Sequence, residues 1–123
     1  MSKSVPKRLT VSVVVRCYTE ERWADLEECL ESLFVQTRAA DEIVVVVDHN
    51  PEMLERIQQT WAGWVKAYPN THPRGSAGGW NTSLEVATSD IIAFIDDDAV
   101  ATPNWTQHLL RHFESPRVIG VGG

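Results

Sequence analysis

Residues 91–98 read Ile-Ile-Ala-Phe-Ile-Asp-Asp-Asp, an apolar run of strand length that ends in three consecutive acids. Apolar residues without polar alternation are typical of a strand covered on both faces, as in a parallel sheet. Three adjacent carboxylates raise each other's proton affinity and repel one another, so something should offset their charge. Mg²⁺ or Mn²⁺ would do so, because hard cations prefer carboxylate oxygen. The stretch predicts a metal or ligand site at a strand end, with a solvated acidic loop as the alternative.

The rest of the chain repeats the pattern of an apolar run followed by a helix-like segment. The other runs of strand length are Leu9 to Val15, Glu42 to Val47, Val65 to Tyr68 and Val118 to Val121. Four segments with helical spacing lie between the runs. This alternation predicts an α/β fold: an open, doubly wound, mostly parallel sheet of Rossmann-like type, with about five strands and four helices.

Cap and spacing signals place the helices. Thr19 is a candidate N-cap for a first helix over about 20–36, and Asn50-Pro51 supplies a cap and an N1 proline for a second. The third should begin near Gly78 and the fourth at Thr102-Pro103. The apolar positions expected to face the core are Leu26, Leu30, Leu33 and Phe34 in the first helix, Met53, Leu54, Ile57 and Trp61 in the second, and Trp105, Leu109 and Phe113 in the fourth.

Length and charge narrow the class of protein. The chain has 123 residues and 43% hydrophobic content, which suits one domain over residues 9–123 after a tail over residues 1–8. Its formal net charge of −6 disfavours nucleic-acid partners, because phosphate-backbone binding rests on clustered Lys and Arg. We expect no membrane segment in this chain. The two cysteines are too few for a disulfide framework and predict a cytoplasmic location.

In open α/β sheets, ligands bind beyond the carboxyl ends of the strands near a switch in strand order. The segments that follow the first, second and fourth predicted strands are residues 16–19, 48–50 and 96–98, which bring an aromatic ring, one acid and the acidic triplet to one rim. This rim is where function is expected.

Five pieces of the chain, taken together, carry a family resemblance. They are Val-Val-Val-Arg-Cys-Tyr-Thr at 13–19, Cys-Leu-Glu-Ser-Leu at 29–33 with Gln36-Thr37, Glu-Ile-Val-Val-Val-Val-Asp at 42–48, Gly-Ser-Ala-Gly-Gly-Trp-Asn at 75–81, and Phe-Ile-Asp-Asp-Asp at 94–98. In this order and spacing, the stretch from Val11 to Gly123 resembles the nucleotide-sugar-binding half of inverting family 2 glycosyltransferases, which have the GT-A fold.

The resemblance implies roles for particular residues. Tyr18 would lie near the nucleotide base, Asp48 would accept a hydrogen bond from a base N–H, and Arg74 would contact phosphate or base. Asp96 and Asp98 would form the Asp-x-Asp pair that holds Mn²⁺ or Mg²⁺ against the diphosphate. The full nucleotide-binding set implied is Cys17, Tyr18, Thr19, Asp48, Arg74, Gly78, Asp96 and Asp97, and the metal set is Asp96 and Asp98. Three other interpretations stay open: Tyr18 as a packing residue at the rim, Asp48 as the cap of the second helix, and Arg74 as a solvated residue of a Pro-Arg-Gly turn.

The resemblance also implies a function. We expect metal-dependent binding of a nucleoside-diphosphate sugar, with a UDP-sugar favoured, as part of an enzyme that transfers the sugar to an acceptor that the sequence does not identify. Arg16 and Cys17 stand where a proline and a small residue are usual, and Trp80 stands where an arginine is usual, so the base of the nucleotide is open.

In that family the catalytic base follows well after the Asp-x-Asp pair, and we expect it beyond Gly123. No residue of this sequence is therefore assigned as the base. We therefore expect a piece that stops before the acceptor-binding half, is inactive alone and is able to self-associate. Its parent would act at the cytoplasmic face of a membrane.

Three alternatives remain. A catalytically incomplete nucleotide-binding fragment differs from the main hypothesis only in activity. A haloacid-dehalogenase-like phosphatase is suggested by Asp96-x-Asp98-x-Val100 after an apolar strand, but its further catalytic residues would have to follow within 25 positions. A receiver-type signalling domain fits the length, yet it needs acids after the first strand, where this chain has Arg16-Cys17.

Overall fold

A computed structural model describes residues 9–73, 76–111 and 117–120. Its sheet contains five strands: β1 (Val11–Cys17), β2 (Glu42–Val47), β3 (Lys66–Pro69), β4 (Ile91–Asp96) and β5 (Arg117–Gly120). The strand order is β3-β2-β1-β4-β5, and every neighbouring pair is parallel. The predicted doubly wound α/β sheet is therefore confirmed, although β1 begins and ends two residues later than its apolar run suggested.

The helices follow the predicted order with shifted bounds. They are α1 (Trp23–Phe34), α2 (Pro51–Thr60), α3 (Ser76–Val86) and α4 (Trp105–Arg111), with a 3₁₀ turn over Glu20–Arg22 before α1. The Thr19 side chain accepts from the Glu21 N–H and so caps the 3₁₀ turn rather than α1 itself. The Asn50 side chain caps α2 at the Met53 N–H, as predicted.

Three of the predicted helix limits need correction. The first helix ends at Phe34 instead of near Gln36, because the Gln36 side chain donates to Thr102 O and accepts from Thr106 N, which ties the chain to α4. The third begins at Ser76, ahead of Gly78, and the fourth begins at Trp105 after a turn. Phe113 and Val121, assigned to the fourth helix and the fifth strand, lie outside the described residues.

A hydrophobic cluster lies on each face of the sheet, and one of the two clusters is larger than the other. On one face, alternate residues of β1, β2 and β4 pack against α1, α2 and the segment before α4. On the other face the buried cluster is smaller, with α3 and the turn after it as cover. The helix residues that are fully buried on the larger face are Leu26, Cys29, Leu30, Leu33, Met53 and Ile57, and all of them except Cys29 were predicted core positions.

The strand order fixes where the functional site lies. The chain moves from β1 to β2 and β3 on one side and returns to β4 and β5 on the other, so β1 and β4 are neighbours at the switch point. Their carboxyl ends meet there, with Arg16 opposite Asp96 in the register. In the part of the chain that the structure describes, no helix combines the length and apolar character needed to cross a bilayer.

Candidate functional site

A cleft opens between the carboxyl ends of β1 and β4, which we call the β1–β4 cleft. Its volume is about 290 Å³. The residues that line it are Arg16, Tyr18, Arg22, Phe94, Ile95, Asp96, Asp97 and Asp98. Four residues of the predicted site (Tyr18 and the acidic triplet) thus lie together at the switch point of the sheet.

The acidic triplet is split by the local backbone. Asp96 is the last residue of β4, and the Ala99 N–H donates to its carbonyl at 3.0 Å, which closes a tight turn. Asp96 and Asp98 are exposed, whereas Asp97 between them is buried. Two carboxylates therefore reach solvent at the cleft, and the middle one faces inward.

The inward acid has a specific partner. Arg22, in the 3₁₀ turn, places its Nη1 at 3.3 Å from Asp97 Oδ1, while Asp97 Oδ2 is buried with no hydrogen-bond partner among the described atoms. Burial raises the pKa of Asp97 above its ordinary value of 3.8, and the Arg22 guanidinium opposes that rise. The neighbouring acids Asp96 and Asp98 raise it further, by a smaller amount.

Tyr18 extends into the cleft mouth rather than into the core. Its side chain is 53% exposed. The Arg22 guanidinium carbon lies 5.7 Å from the centre of its ring, within the range of a cation–π contact. The packing-residue interpretation of Tyr18 is therefore not favoured, and Arg22 contacts both the aromatic ring and the buried acid.

Cys17 lies at the end of β1 with its thiol in the core. The residue is 1% exposed, and burial raises the pKa of the thiol to about 12, with a further rise from the negative charge of Asp97. The Cys17 carbonyl accepts from the Asp48 N–H at 2.9 Å. The thiol is thus placed for packing, and any contact of Cys17 with a ligand would have to come from its backbone.

Asp48 belongs to a polar network at the end of β2. Its Oδ1 accepts from Asn70 Nδ2 at 2.8 Å, and His49 Nε2 lies 3.7 Å from the same oxygen. Thr82 Oγ1 in turn donates to Asn70 Oδ1 at 2.7 Å. Since Asn50 caps α2, the capping interpretation of Asp48 is wrong. Asp48 lies one strand away from the β1–β4 cleft, and His49 beside it has a φ of 53°, in the left-handed region.

Gly78 and Gly79 let α3 approach its neighbours closely. A Cβ on Gly78 would lie 1.9 Å from the Pro73 carbonyl oxygen, and one on Gly79 would lie 2.3 Å from Arg16 Cδ. The first neighbour is backbone and the second is a flexible side chain. Arg74, predicted to contact phosphate or base, lies outside the described residues.

The carboxylates that reach the cleft are suited to a shared metal site. Among the residues that the structure describes, no group of three or more His, Cys, Asp and Glu side chains is arranged to hold a metal. Mg²⁺ commonly takes one or two protein carboxylates and completes its shell with phosphate oxygens and water. Asp96 and Asp98 therefore fit a cation that is bound together with a diphosphate.

Two arginines of the cleft were not among the predicted site residues. Arg16 was placed in the segment after the first predicted strand, where ligands are expected, and was noted as a departure from the family pattern, but it was given no role. Arg22 had no signal in the sequence, because its partner Asp97 is 75 positions away.

Comparison with known proteins identifies the family. The model for Glycosyl transferase family 2 matches residues 12–123. This chain belongs to glycosyl transferase family 2. The match confirms the resemblance seen in the sequence, and it favours that interpretation over the phosphatase and receiver alternatives.

Named relatives support the same assignment. Glucosyl-dolichyl phosphate glucuronosyltransferase of Haloferax volcanii is 37% identical over 118 residues, which is 94% of this chain and 38% of that protein. The amylovoran biosynthesis glycosyltransferase AmsE of Erwinia amylovora is 34% identical over 115 residues, 90% of this chain and 43% of the relative. The chain thus spans about two fifths of the length of these relatives.

Proposed function

We propose that this family 2 glycosyltransferase chain binds a nucleoside-diphosphate sugar together with Mn²⁺ or Mg²⁺ in the β1–β4 cleft. A UDP-sugar is the preferred donor. The site would serve an inverting transfer of the sugar to an acceptor hydroxyl. The observation that carries the proposal is the split triplet, in which Asp96 and Asp98 reach the cleft while Asp97 faces inward against Arg22.

The electrostatics of the cleft support a metal-bound diphosphate. Asp96 and Asp98 lie two positions apart in a tight turn, so their mutual repulsion disfavours an empty acidic rim. A divalent cation between them and the diphosphate would stabilise the charge that develops on the leaving group. Asp97 has its own counter-cation in Arg22 and is not needed as a ligand.

The aromatic side of the cleft supports a nucleotide. The exposed ring of Tyr18 can stack on a base, because aromatic pairs gain from offset stacking beyond the area they bury. Arg22 lies over that ring and limits its orientations. Asp48, on the next strand, already accepts from Asn70, but a carboxylate has about four acceptor sites, so it can also accept from a base N–H.

Calorimetry with and without metal tests the proposal. UDP should bind measurably in Mn²⁺ and much more weakly in EDTA, and Asp98→Asn should remove most of this difference. Glu31→Gln, an exposed acid on α1, is the matched control and should bind like the wild type. Equal affinity for UDP in Mn²⁺ and EDTA, or a metal dependence unchanged by Asp98→Asn, would rule out the Asp-x-Asp role.

A further inference from the structure

A second, smaller pocket adjoins the β1–β4 cleft on the α3 face of the sheet. Arg16, Gly79, Trp80 and Phe94 line it, and its volume is about 160 Å³. We call it the Trp80 pocket. Arg16 and Phe94 line both spaces, so the two pockets are neighbours that share one arginine and one aromatic residue.

The Trp80 pocket has a rigid aromatic wall. The rings of Trp80 and Phe94 stack with their centres 4.2 Å apart and their planes 10° from parallel. Phe94 is held by β4, next to β1, while Trp80 lies on the first turns of α3 and is 39% exposed. Large apolar rings at the edge of the cleft reduce the water around Arg16, which strengthens any ion contact the guanidinium makes.

The stem of Arg16 crosses α3 at a glycine. A Cβ at position 79 would come within 2.3 Å of Arg16 Cδ, 3.2 Å of Cγ and 3.4 Å of Nε. Only glycine leaves the stem its present path, and Arg16 lines both pockets. Packing against α3 therefore sets the path of the Arg16 side chain. Its backbone lies near the end of β1, opposite Asp96 on β4.

The charges around Arg16 indicate what it can bind. Among the described residues that line the β1–β4 cleft, the cations are Arg16 and Arg22. Arg16 lies opposite Asp96 in the sheet register, beside the proposed metal site. A guanidinium presents a planar fork of donors that matches phosphate and carboxylate oxygens.

We propose that Arg16 is a donor-binding residue that contacts an anionic oxygen of the nucleotide sugar from the border of the Trp80 pocket. This inference rests on the proposed function. The anionic oxygen would belong either to the diphosphate or to a carboxylate on the sugar. Both groups offer anionic oxygens to a guanidinium, and titrations with different nucleotide sugars distinguish the two.

The test compares wild type, Arg16→Gln and Arg16→Lys in calorimetric titrations with UDP, UDP-glucose and UDP-glucuronate, all in Mn²⁺. Arg16→Gln should weaken binding by about 10-fold or more, the usual scale for a lost hydrogen bond to a charged group. Arg16→Lys should recover part of the loss, because it keeps the charge without the fork. A loss with all three ligands assigns the contact to the diphosphate, and a loss with UDP-glucuronate alone assigns it to the carboxylate.

Two further variants separate binding from folding. Arg38→Gln removes an arginine that pairs with Asp41 at the amino end of the sheet, and it should bind like the wild type. Gly79→Ala keeps Arg16 but displaces its stem, so it should weaken binding while the circular dichroism spectrum stays native.

The outcomes also separate this inference from the proposed function. If the wild type binds and Arg16→Gln binds all three ligands equally well, the role of Arg16 is overturned and the proposed function stands. If the wild type binds none of them, both are overturned.

Discussion

At the scale of single residues, Asp97 is an acid held in an environment that disfavours its charged form. Its carboxylate is buried, with one oxygen facing Arg22 and the other without a partner among the described atoms. A buried acceptor left unsatisfied costs about 1–3 kcal/mol. A side chain kept at that cost is consistent with a positioning role. Asp97 would orient Arg22, and Arg22 in turn would orient Tyr18.

The raised pKa of Asp97 gives a prediction about pH. Since burial holds its pKa above 3.8, the folded protein keeps the Asp97 proton to higher pH than the unfolded chain does. The contribution of Asp97 to stability is then largest below the unfolded value and decreases as the pH rises through the folded value. Asp97→Asn does not titrate. The unfolding free energy of the wild type minus that of Asp97→Asn should therefore fall as the pH rises from about 4 to about 7.

Urea unfolding of both proteins across that range measures the difference. Subtracting the variant cancels most of the titration of Asp96 and Asp98, which both proteins share. A difference that grows with pH would mean that the ion pair with Arg22 outweighs burial, and the direction assigned to the pKa would be wrong.

At the scale of elements, Glu42 joins three strands and a loop at the amino end of the sheet. Its Oε1 accepts from Ser12 Oγ on β1 at 2.6 Å and from the Thr88 N–H at 2.8 Å, and its Oε2 accepts from Lys66 Nζ on β3 at 3.0 Å. Burial alone would raise the pKa of Glu42, but these partners together outweigh it and hold the pKa below 4.5.

Glu42→Gln should destabilise the protein by about 1–3 kcal/mol at neutral pH, because three donors lose a charged acceptor. The stability that Glu42 contributes is present above the unfolded pKa and is lost as the pH falls through the lower folded value. The difference from wild type should therefore shrink in acid, opposite to the trend for Asp97. Chemical denaturation at neutral and acid pH measures it, with Glu31→Gln as the control. A variant as stable as wild type at neutral pH would contradict the account.

The elements also show what sequence reasoning could reach. β1, β2 and β4 were predictable because continuous apolar runs are buried on both faces of a parallel sheet. β3 was the weakest strand in the sequence because it is an edge strand and none of its four residues is buried: Lys66 and Pro69 are exposed, and Ala67 and Tyr68 are half-buried. The end of α1 was missed where a long-range contact, that of Gln36 with Thr102, fixes the chain just after the helix.

The candidate site was predictable to a similar degree. Tyr18 and the acidic triplet follow from the rule that ligands bind at strand ends near a switch point. The inward turn of Asp97 and its pairing with Arg22 depend on how β4 meets the 3₁₀ turn, a contact between distant parts of the chain. The path of Arg16 depends on the absence of a side chain at Gly79, which no local pattern indicates.

At the scale of the whole molecule, the two faces of the sheet are covered unequally. Trp80 and Leu84, one turn apart on α3, are 39% and 40% exposed. They lie on the helix that covers the smaller buried cluster. The self-association expected from the sequence stays a prediction. The exposed surface of α3 is where a contact between two copies would be tested first.

Ligand binding should be visible in the stability of the entire domain. The β1–β4 cleft is built from the ends of two central strands, so a ligand that requires the cleft requires the folded sheet. A ligand present at 100 times its Kd that binds only the folded state adds about 2.7 kcal/mol to stability. For a domain of this size that corresponds to a rise in Tm of roughly 10 °C.

We therefore expect UDP with Mn²⁺ to raise the Tm by roughly this amount, and UDP in EDTA or Mn²⁺ alone to raise it much less. A metal held by two carboxylates binds weakly until the diphosphate completes its shell, so the two ligands should stabilise the fold together more than the sum of their separate effects. Differential scanning calorimetry of wild type, Asp98→Asn and Glu31→Gln measures these shifts. Asp98→Asn should lose the joint effect, and Glu31→Gln should keep it. Strictly additive shifts in the wild type would show that metal and nucleotide bind independently, and the shared site at Asp96 and Asp98 would then be wrong.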